Sequence, residues 1–203
     1  ASQLTWTGLA SAVTIRGGYE ATNTVDLPGA RDSARWPTVF AASGTNRVMF
    51  AIAITNGILD EVTLTGGAIS LAGGLGRGAG FYASYCVGLI IAGCSISNNS
   101  ATDTSNASGG GLFQEGGSVA ISNCMIKANR VYGSGNGQSY GAGIYVASGT
   151  NTMSGSVIAL NAALTPGALC NGGGIWSAGL LNLRNCLVTG NMTLFGGNGI
   201  YLA

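Results

Sequence analysis

One phrase returns four times in this chain at a nearly fixed distance. "GCSISNNSA", "NCMIKANRV", "GSVIALNAA" and "NCLVTGNMT" align on their last asparagine, and Asn99, Asn129, Asn161 and Asn191 stand 30, 32 and 30 residues apart. Three residues before them come Ile96, Ile126, Ile158 and Val188, and two before those come Cys94, Cys124, Ser156 and Cys186. A degenerate earlier copy, "EVTLTGG", puts Val62, Leu64 and Gly67 in the same frame. Upstream in each copy sits another apolar residue: Leu59, Ile91, Ile121, Met153 and Leu183. A second phrase alternates with the first. "AGFYA", "GGLFQ", "AGIYV", "GGIWS" and "NGIYL" align Phe81, Leu112, Ile144, Ile175 and Ile200, each followed by an aromatic residue: Tyr82, Phe113, Tyr145, Trp176 and Tyr201. A unit restated every 30 residues or so cannot bury its own apolar side. It must stack on its neighbours, which restricts the chain to a solenoid.

Within each phrase the apolar residues alternate with period two, the signature of strands, and no ten-residue stretch has a helical period. Clusters of Gly, Asn, Ser and Thr between phrases supply turns. In "VAISNCMI" the inward set is Val119, Ile121, Cys124 and Ile126, and its parity changes between Ile121 and Cys124, which calls for a bend or bulge. Coils of this kind stack about 4.8 Å apart, so like side chains pile into ladders. The isoleucine and cysteine rows are expected inside. The asparagine row is expected at a turn, in left-handed backbone, with amides bonding up and down the stack. The glycines before each Ile or Leu fit corners where a side chain would clash.

These phrases resemble two related groups: the right-handed parallel β-helices of pectate-lyase-like secreted proteins, and the passenger repeats of polymorphic outer-membrane proteins, which alternate GGA[ILV] with FxxN. "GGAI" stands at Gly66 to Ile69, and "GGGL", "GAGI", "GGGI" and "GNGI" are its variants. Ile96–Asn99, Ile126–Asn129, Ile158–Asn161 and Val188–Asn191 take the place of FxxN, with an aliphatic residue for Phe. The resemblance implies an all-β, single-stranded right-handed parallel β-helix in one domain, 1–203. Irregular coils are expected over 1–56 and regular repeats over 57–203. It also implies secretion or surface display.

Composition excludes several functions. Charged residues make up 7% of the chain and the net charge is +1, far from the basic surface that nucleic acid requires. No apolar run approaches the roughly 20 residues of a membrane-spanning helix. With no histidine and no CxxC pair, neither a zinc site nor the commonest general base is available. The acidic residues are Glu20, Asp26, Asp32, Asp60, Glu61, Asp103 and Glu115. Of these only Asp60 and Glu61 are adjacent, and strand neighbours point to opposite faces. Asp26, Asp32, Arg31 and Arg35 are expected to hold a loop. No enzyme activity, metal or cofactor is expected, although β-helix enzymes use clustered carboxylates for calcium or for glycoside hydrolysis.

The remaining side chains suggest surfaces. If Ile144 and Val146 face inward, Tyr145 faces out, and Tyr82, Phe113, Trp176 and Tyr201 follow it, either as a stripe suited to an interface or a sugar platform or as rings that a loop covers or that only stack on one another. Met125, Val157 and Leu187 form a second outward apolar row. Lys127, the sole lysine, is expected to be solvated beside Arg130. The five cysteines, an odd number, leave at least one thiol free. The cysteine row reads as buried thiols, with a Cys94–Cys124 disulfide left open, and Cys86 and Cys170 are expected buried outside it. Asn98, Asn106 and Asn191 begin N-x-S/T sequons, acceptors only in a glycosylating secretory route. The chain opens without Met or a leader and stops at "GNGIYLA", with Ile200, Tyr201 and Leu202 beginning another coil. The expectation is a secreted subunit that stacks end to end on copies of itself. The alternatives are a surface adhesin or passenger fragment, or a polysaccharide-binding module whose partners are surface glycans.

Overall fold

The computed structural model describes residues 3–8, 12–20, 28–71, 73, 76–134 and 137–203 of the chain. Every strand pairing in it is parallel, and each strand pairs with its counterpart one coil away. One coil shows the pattern. Leu112–Ser122 runs along one side, Met125–Lys127 forms the second, Arg130–Gly133 the third and Gln138–Tyr140 an outlying fourth, before Ile144–Ser154 starts the next coil. Stacked coils thereby make an 11-stranded, a 6-stranded, a 5-stranded and a 3-stranded sheet. The molecule is a parallel β-solenoid.

The ladders have the register that the repeat demands. Leu64, Ile96, Ile126, Ile158 and Val188 lie one above another. Leu59, Ile91, Ile121, Met153 and Leu183 do the same. Ile96, Ile126 and Ile158 are wholly buried, and each such side chain contributes about 1.5–3 kcal/mol by leaving water. Both ladders extend upstream of the legible repeat: Phe40 pairs with Leu64, and Ile15 with Leu59. The change of parity falls at Asn123, whose φ of 51° turns the corner so that Ile121 and Cys124 both face inward.

The asparagine ladder corrects one expectation. Asn99, Asn129, Asn161 and Asn191 are all buried, but the left-handed residue is the one before each: Asn98, Ala128, Leu160 and Gly190, with φ of 56°, 54°, 57° and 60°. The chain turns first, and the asparagine can then aim its amide along the stack. Asn99 Nδ2 donates to Asn129 Oδ1 at 3.0 Å, Asn129 Nδ2 to Asn161 Oδ1 at 3.0 Å, and Asn161 Nδ2 to Asn191 Oδ1 at 2.9 Å. The same oxygens accept the backbone N–H of the asparagine one coil earlier. The glycine phrase is the other half of this arrangement. A Cβ on Gly111 would sit 2.6 Å from the Gly143 carbonyl oxygen and 2.8 Å from Asn129 Nδ2, and a Cβ on Gly143 would meet the Gly174 oxygen at 2.6 Å.

The cysteine row is a hydrogen-bonding ladder as much as an apolar one. Cys94 N–H donates to Cys124 Sγ at 3.4 Å, and Cys124 N–H donates to Ser156 Oγ at 3.0 Å. Each side chain in turn donates to the carbonyl two residues back: Cys94 to Ala92, Cys124 to Ser122, Ser156 to Ser154 and Cys186 to Arg184. Thiol and hydroxyl are interchangeable here because the corner needs one small group that both accepts and donates. All five cysteines are free thiols, with Cys86, Cys94, Cys124 and Cys170 buried. Contact with the Cys124 sulfur, then burial, pushes Cys94 well up from the ordinary thiol range. A measurable consequence is an inverted substitution order. Cys124→Ser is expected to cost less than about 1.5 kcal/mol. Cys124→Val, although apolar, strands the Cys94 N–H and is expected to cost about 1–3 kcal/mol. Urea melts of the two variants check this, and a valine variant more stable than the serine one contradicts the ladder.

Candidate functional site

The outward row beside the glycine phrase is longer and more enclosed than its sequence suggests. Register places Phe50 beneath Tyr82, followed by Phe113, Tyr145, Trp176 and Tyr201. Alternation turns these side chains away from the core, because their neighbours Phe81, Leu112, Ile144 and Ile175 are fully buried. The coil spacing then forces ring onto ring. Phe113 and Tyr145 stack with centroids 5.0 Å apart and planes 6° from parallel, and Tyr145 and Trp176 with centroids 4.2 Å apart at 3°. Tyr82 tilts onto Phe113, and Phe50 meets Tyr82 edge-on. The rings spend their faces on one another, so a ligand approaching from the side meets edges.

The row is not an open stripe: its rings stack on one another and are partly covered, one of the two arrangements that the sequence allowed. Phe113 is only 2% exposed. Arg77 lies over its ring at 5.3 Å, and Tyr140 packs against Tyr145 and Trp176. Tyr201 is the most open of the five, at 38%. The cover comes from the outlying 3-stranded sheet of Asn106–Ser108, Gln138–Tyr140 and Cys170–Asn171. That sheet is held by a second small core, including Ala107, Val131, Ala142 and Cys170. Arg47, over Tyr82 at 4.9 Å, is tied inward by the carbonyls of Arg77 and Gly78 and by Gln3. Burial, then its hydrogen bond to Glu115, pushes the Tyr82 hydroxyl up to about 12. Glu115 Oε2 accepts from both Tyr82 and Ser84 at 2.8 Å. Sequence reasoning missed Phe50, Arg77 and Tyr140. Phe50 lacks the glycine phrase, and the other two lie in a column, Arg77, Ser108, Tyr140 and Asn171, whose residues do not repeat in kind.

Asp60 and Glu61 also differ from expectation. They do not point apart, because Glu61 has a φ of 52° and turns a corner. Both reach Arg31, at 2.8 Å and 3.3 Å, and Arg16 lies 3.8 Å from Asp60. Asp32 Oδ1 accepts from the N–H groups of Ala34 and Arg35. Arg31 and Asp32 thus hold the loop, as their setting suggested; Asp26 lies outside the described residues. Lys127 and Arg130 are exposed, as are Met125 and Leu187, with Val157 half-buried between them. Of the sequons, Asn98 and Asn106 are exposed, whereas the Asn191 amide is buried in the ladder, its Oδ1 accepting from Asn161 and its Nδ2 donating to the Ile158 carbonyl.

The coil of residues 180–203 is less covered than the coil it stacks on. Leu181, Leu183, Cys186 and Val188 are only partly buried and Ile200 is 38% exposed, while their counterparts one coil inward, Asn151, Met153, Ser156, Ile158 and Ile175, are at most 1% exposed. Ile200, Tyr201 and Leu202 pair in register with Ile175, Trp176 and Ser177. Among the described residues no group of three or more His, Cys, Asp or Glu is placed to hold a metal ion, and no helix is long and apolar enough to cross a membrane.

Comparison with known proteins adds one match. The profile of the family described as "Right handed beta helix region" matches residues 43–203. Neither a curated protein nor a solved structure matches the chain.

Proposed function

The chain belongs to the right-handed β-helix family, and from that premise we propose that it is a structural subunit, secreted or surface-displayed, whose coils stack head to tail on copies of itself. The observation that carries this reading is the uniform register of the stack, in which each coil offers the next the same edge and the same inward rows. The inward ladders of the two largest sheets run on to residues 180–203, where Leu181, Leu183, Val188 and Ile200 are partly exposed on the outer face. A further parallel coil completes such a face by capping the strand edge and burying the ladder ends.

A second copy has the matching surface. Its Leu4–Thr7, Thr14–Arg16 and Thr38–Ala41 strands run parallel to their neighbours and lead the same sheets. Leu4 is exposed there, and Ile15 and Phe40 are half-buried. A contact of this head-to-tail kind repeats without closing and generates a fibre. Sparse charge leaves little repulsion against it. Polypeptide continuing beyond residue 203 would cover the same face, so the test uses the 203-residue chain alone. Light scattering and negative-stain microscopy are expected to show concentration-dependent rods, lost in the Ile200→Lys, Leu202→Lys variant. A wild-type chain that stays monomeric at every concentration overturns the proposal. The reading is non-catalytic, and it is supported by carboxylates committed to holding structure: Asp60 and Glu61 to Arg31, and Asp103 to the N–H groups of Gly76 and Ser105.

A further inference from the structure

The flank of the solenoid changes character along its axis. The outward column of the 6-stranded sheet reads Thr63, Ser95, Met125, Val157 and Leu187, above a lone Val39. In the 5-stranded sheet, across the next corner, the column reads Ala68, Ser100, Arg130, Ala162 and Met192. The corner between them holds the left-handed residues Asn98, Ala128, Leu160 and Gly190. The coil of Asn98 is therefore polar on this flank, with Ser95 and Ser100, whereas the coils of Leu160 and Gly190 are apolar. Leu160 is the centre of the change. A Cβ on Gly190 would come 3.0 Å from Leu160 Cδ2, so the leucine lies up over the glycine and fills the corner between Leu187 and Met192. Leu160 is 65% exposed and Leu187 55%. The result is a convex apolar ridge.

Charge sorts the same way. Every acidic side chain lies at or before Glu115, and residues 116–203 carry Lys127, Arg130 and Arg184 with no acid among them. All three cations are exposed, and none joins an ion pair among the described residues. They border the ridge. Lys127 follows Met125 on the same strand, Arg130 stands below Ala162 and Met192 in their column, and Arg184 lies one corner before Leu187, across the left-handed Asn185. The rim calls for an anionic partner and the ridge for an apolar one. A nucleic acid or an acidic polysaccharide meets the first demand and leaves the leucines in water. A layer of anionic lipid meets both, because long cationic side chains reach phosphates while leucine and methionine enter between the headgroups. A convex ridge also enters a deformable layer directly, where a rigid partner would need a matching groove.

We propose that this ridge docks the protein on the surface of an anionic phospholipid bilayer, with Leu160, Leu187 and Met192 seated among the headgroups and Lys127, Arg130 and Arg184 on the phosphates. The ridge lies on the flank of the coils and not on their stacking edges, so docking depends on neither end-to-end contact nor its absence. The test is flotation of the 203-residue chain with vesicles on a density gradient, in which unbound rods sink and bound protein rises. Vesicles of equal parts phosphatidylglycerol and phosphatidylcholine are expected to bind at least tenfold more protein than pure phosphatidylcholine, and added salt is expected to weaken that binding. At about fivefold for each cation near the surface, Lys127→Gln with Arg130→Gln is expected to lower binding at least tenfold. Leu160→Ser with Leu187→Ser, which keeps every charge, is expected to lower it as much with the thermal melt unchanged. Val87→Ser, exposed but far from the ridge in sequence and sheet, is expected to leave it unaltered. Equal binding to both vesicles overturns the proposal. So does binding undiminished in the double serine variant, which would mean that charge alone attracts the lipid. No flotation with either vesicle also overturns it and leaves the ridge to an acidic protein partner.

Discussion

Ile126→Ala is expected to destabilise the protein by about 2–5 kcal/mol, the usual range for emptying a buried Leu, Ile or Met site. Ile126 is wholly buried and sits in register between Ile96 and Ile158, themselves wholly buried. Coil spacing is fixed by backbone hydrogen bonds above and below, so the neighbouring rungs cannot close over the cavity. That places the site toward the upper part of the range. Val188→Ala removes less volume from the half-buried end of the same ladder and is expected to cost well under half as much. Denaturant melts of the two variants measure the difference. An Ile126→Ala loss below about 1 kcal/mol means that the isoleucine row is not a continuous core.

What the sequence made legible was whatever each coil has to restate. An inward Ile is needed at every turn, and an amide must meet the amide above it, so Ile96 to Val188 and Asn99 to Asn191 repeat in kind. The first coils were harder to read for a physical reason. A Cβ on Gly80 would press on the Gly111 carbonyl oxygen at 2.6 Å and on Asn99 Nδ2 at 2.7 Å. By register Val48 holds the same place one coil earlier, in the coil whose asparagine position is Gly67. With no amide to accommodate, the corner takes a valine, and the phrase that marks a coil is erased. Phe40 and Phe50 were overlooked on that account. Asn98, Ala128, Leu160 and Gly190 share a left-handed backbone but no side-chain type, so the ladder asparagine drew the assignment that belonged to its predecessor. The cover of the aromatic row was invisible for a related reason: Arg77, Ser108, Tyr140 and Asn171 share a column in the stack but no side-chain type. Regularity announces the scaffold, and departures from it form the candidate site.

The asparagine ladder gives the second large effect and ties it to assembly. Asn129→Ala strands Asn99 N–H, leaves Asn99 Nδ2 with only its bond to the Leu64 carbonyl, and removes the bond that the Ile96 carbonyl accepts from Asn129, all in the buried interior. At about 1–3 kcal/mol for each buried polar group left unpaired, and with some relief from water entering the space, the expected loss is about 3–6 kcal/mol. Asn191→Ala removes an equivalent set of bonds: those from Asn161 N–H and Asn161 Nδ2, the latter keeping the Ile126 carbonyl, and the one to the Ile158 carbonyl. The two sites differ in what lies above them. Asn129 is roofed by Asn161, whereas Asn191 is 9% exposed on the outer face of the 180–203 coil, where water can take up the unpaired groups. In dilute monomer Asn191→Ala is therefore expected to cost clearly less than Asn129→Ala. If a second copy seats its first coil on that face, water is expelled and the two costs converge as concentration rises. Urea melts of both variants over a wide concentration range read this directly. Costs that stay apart at concentrations where rods are visible would place the contact between copies somewhere other than the open coil. Equal costs in the dilute monomer would mean that the Asn191 rung is already closed by the chain itself.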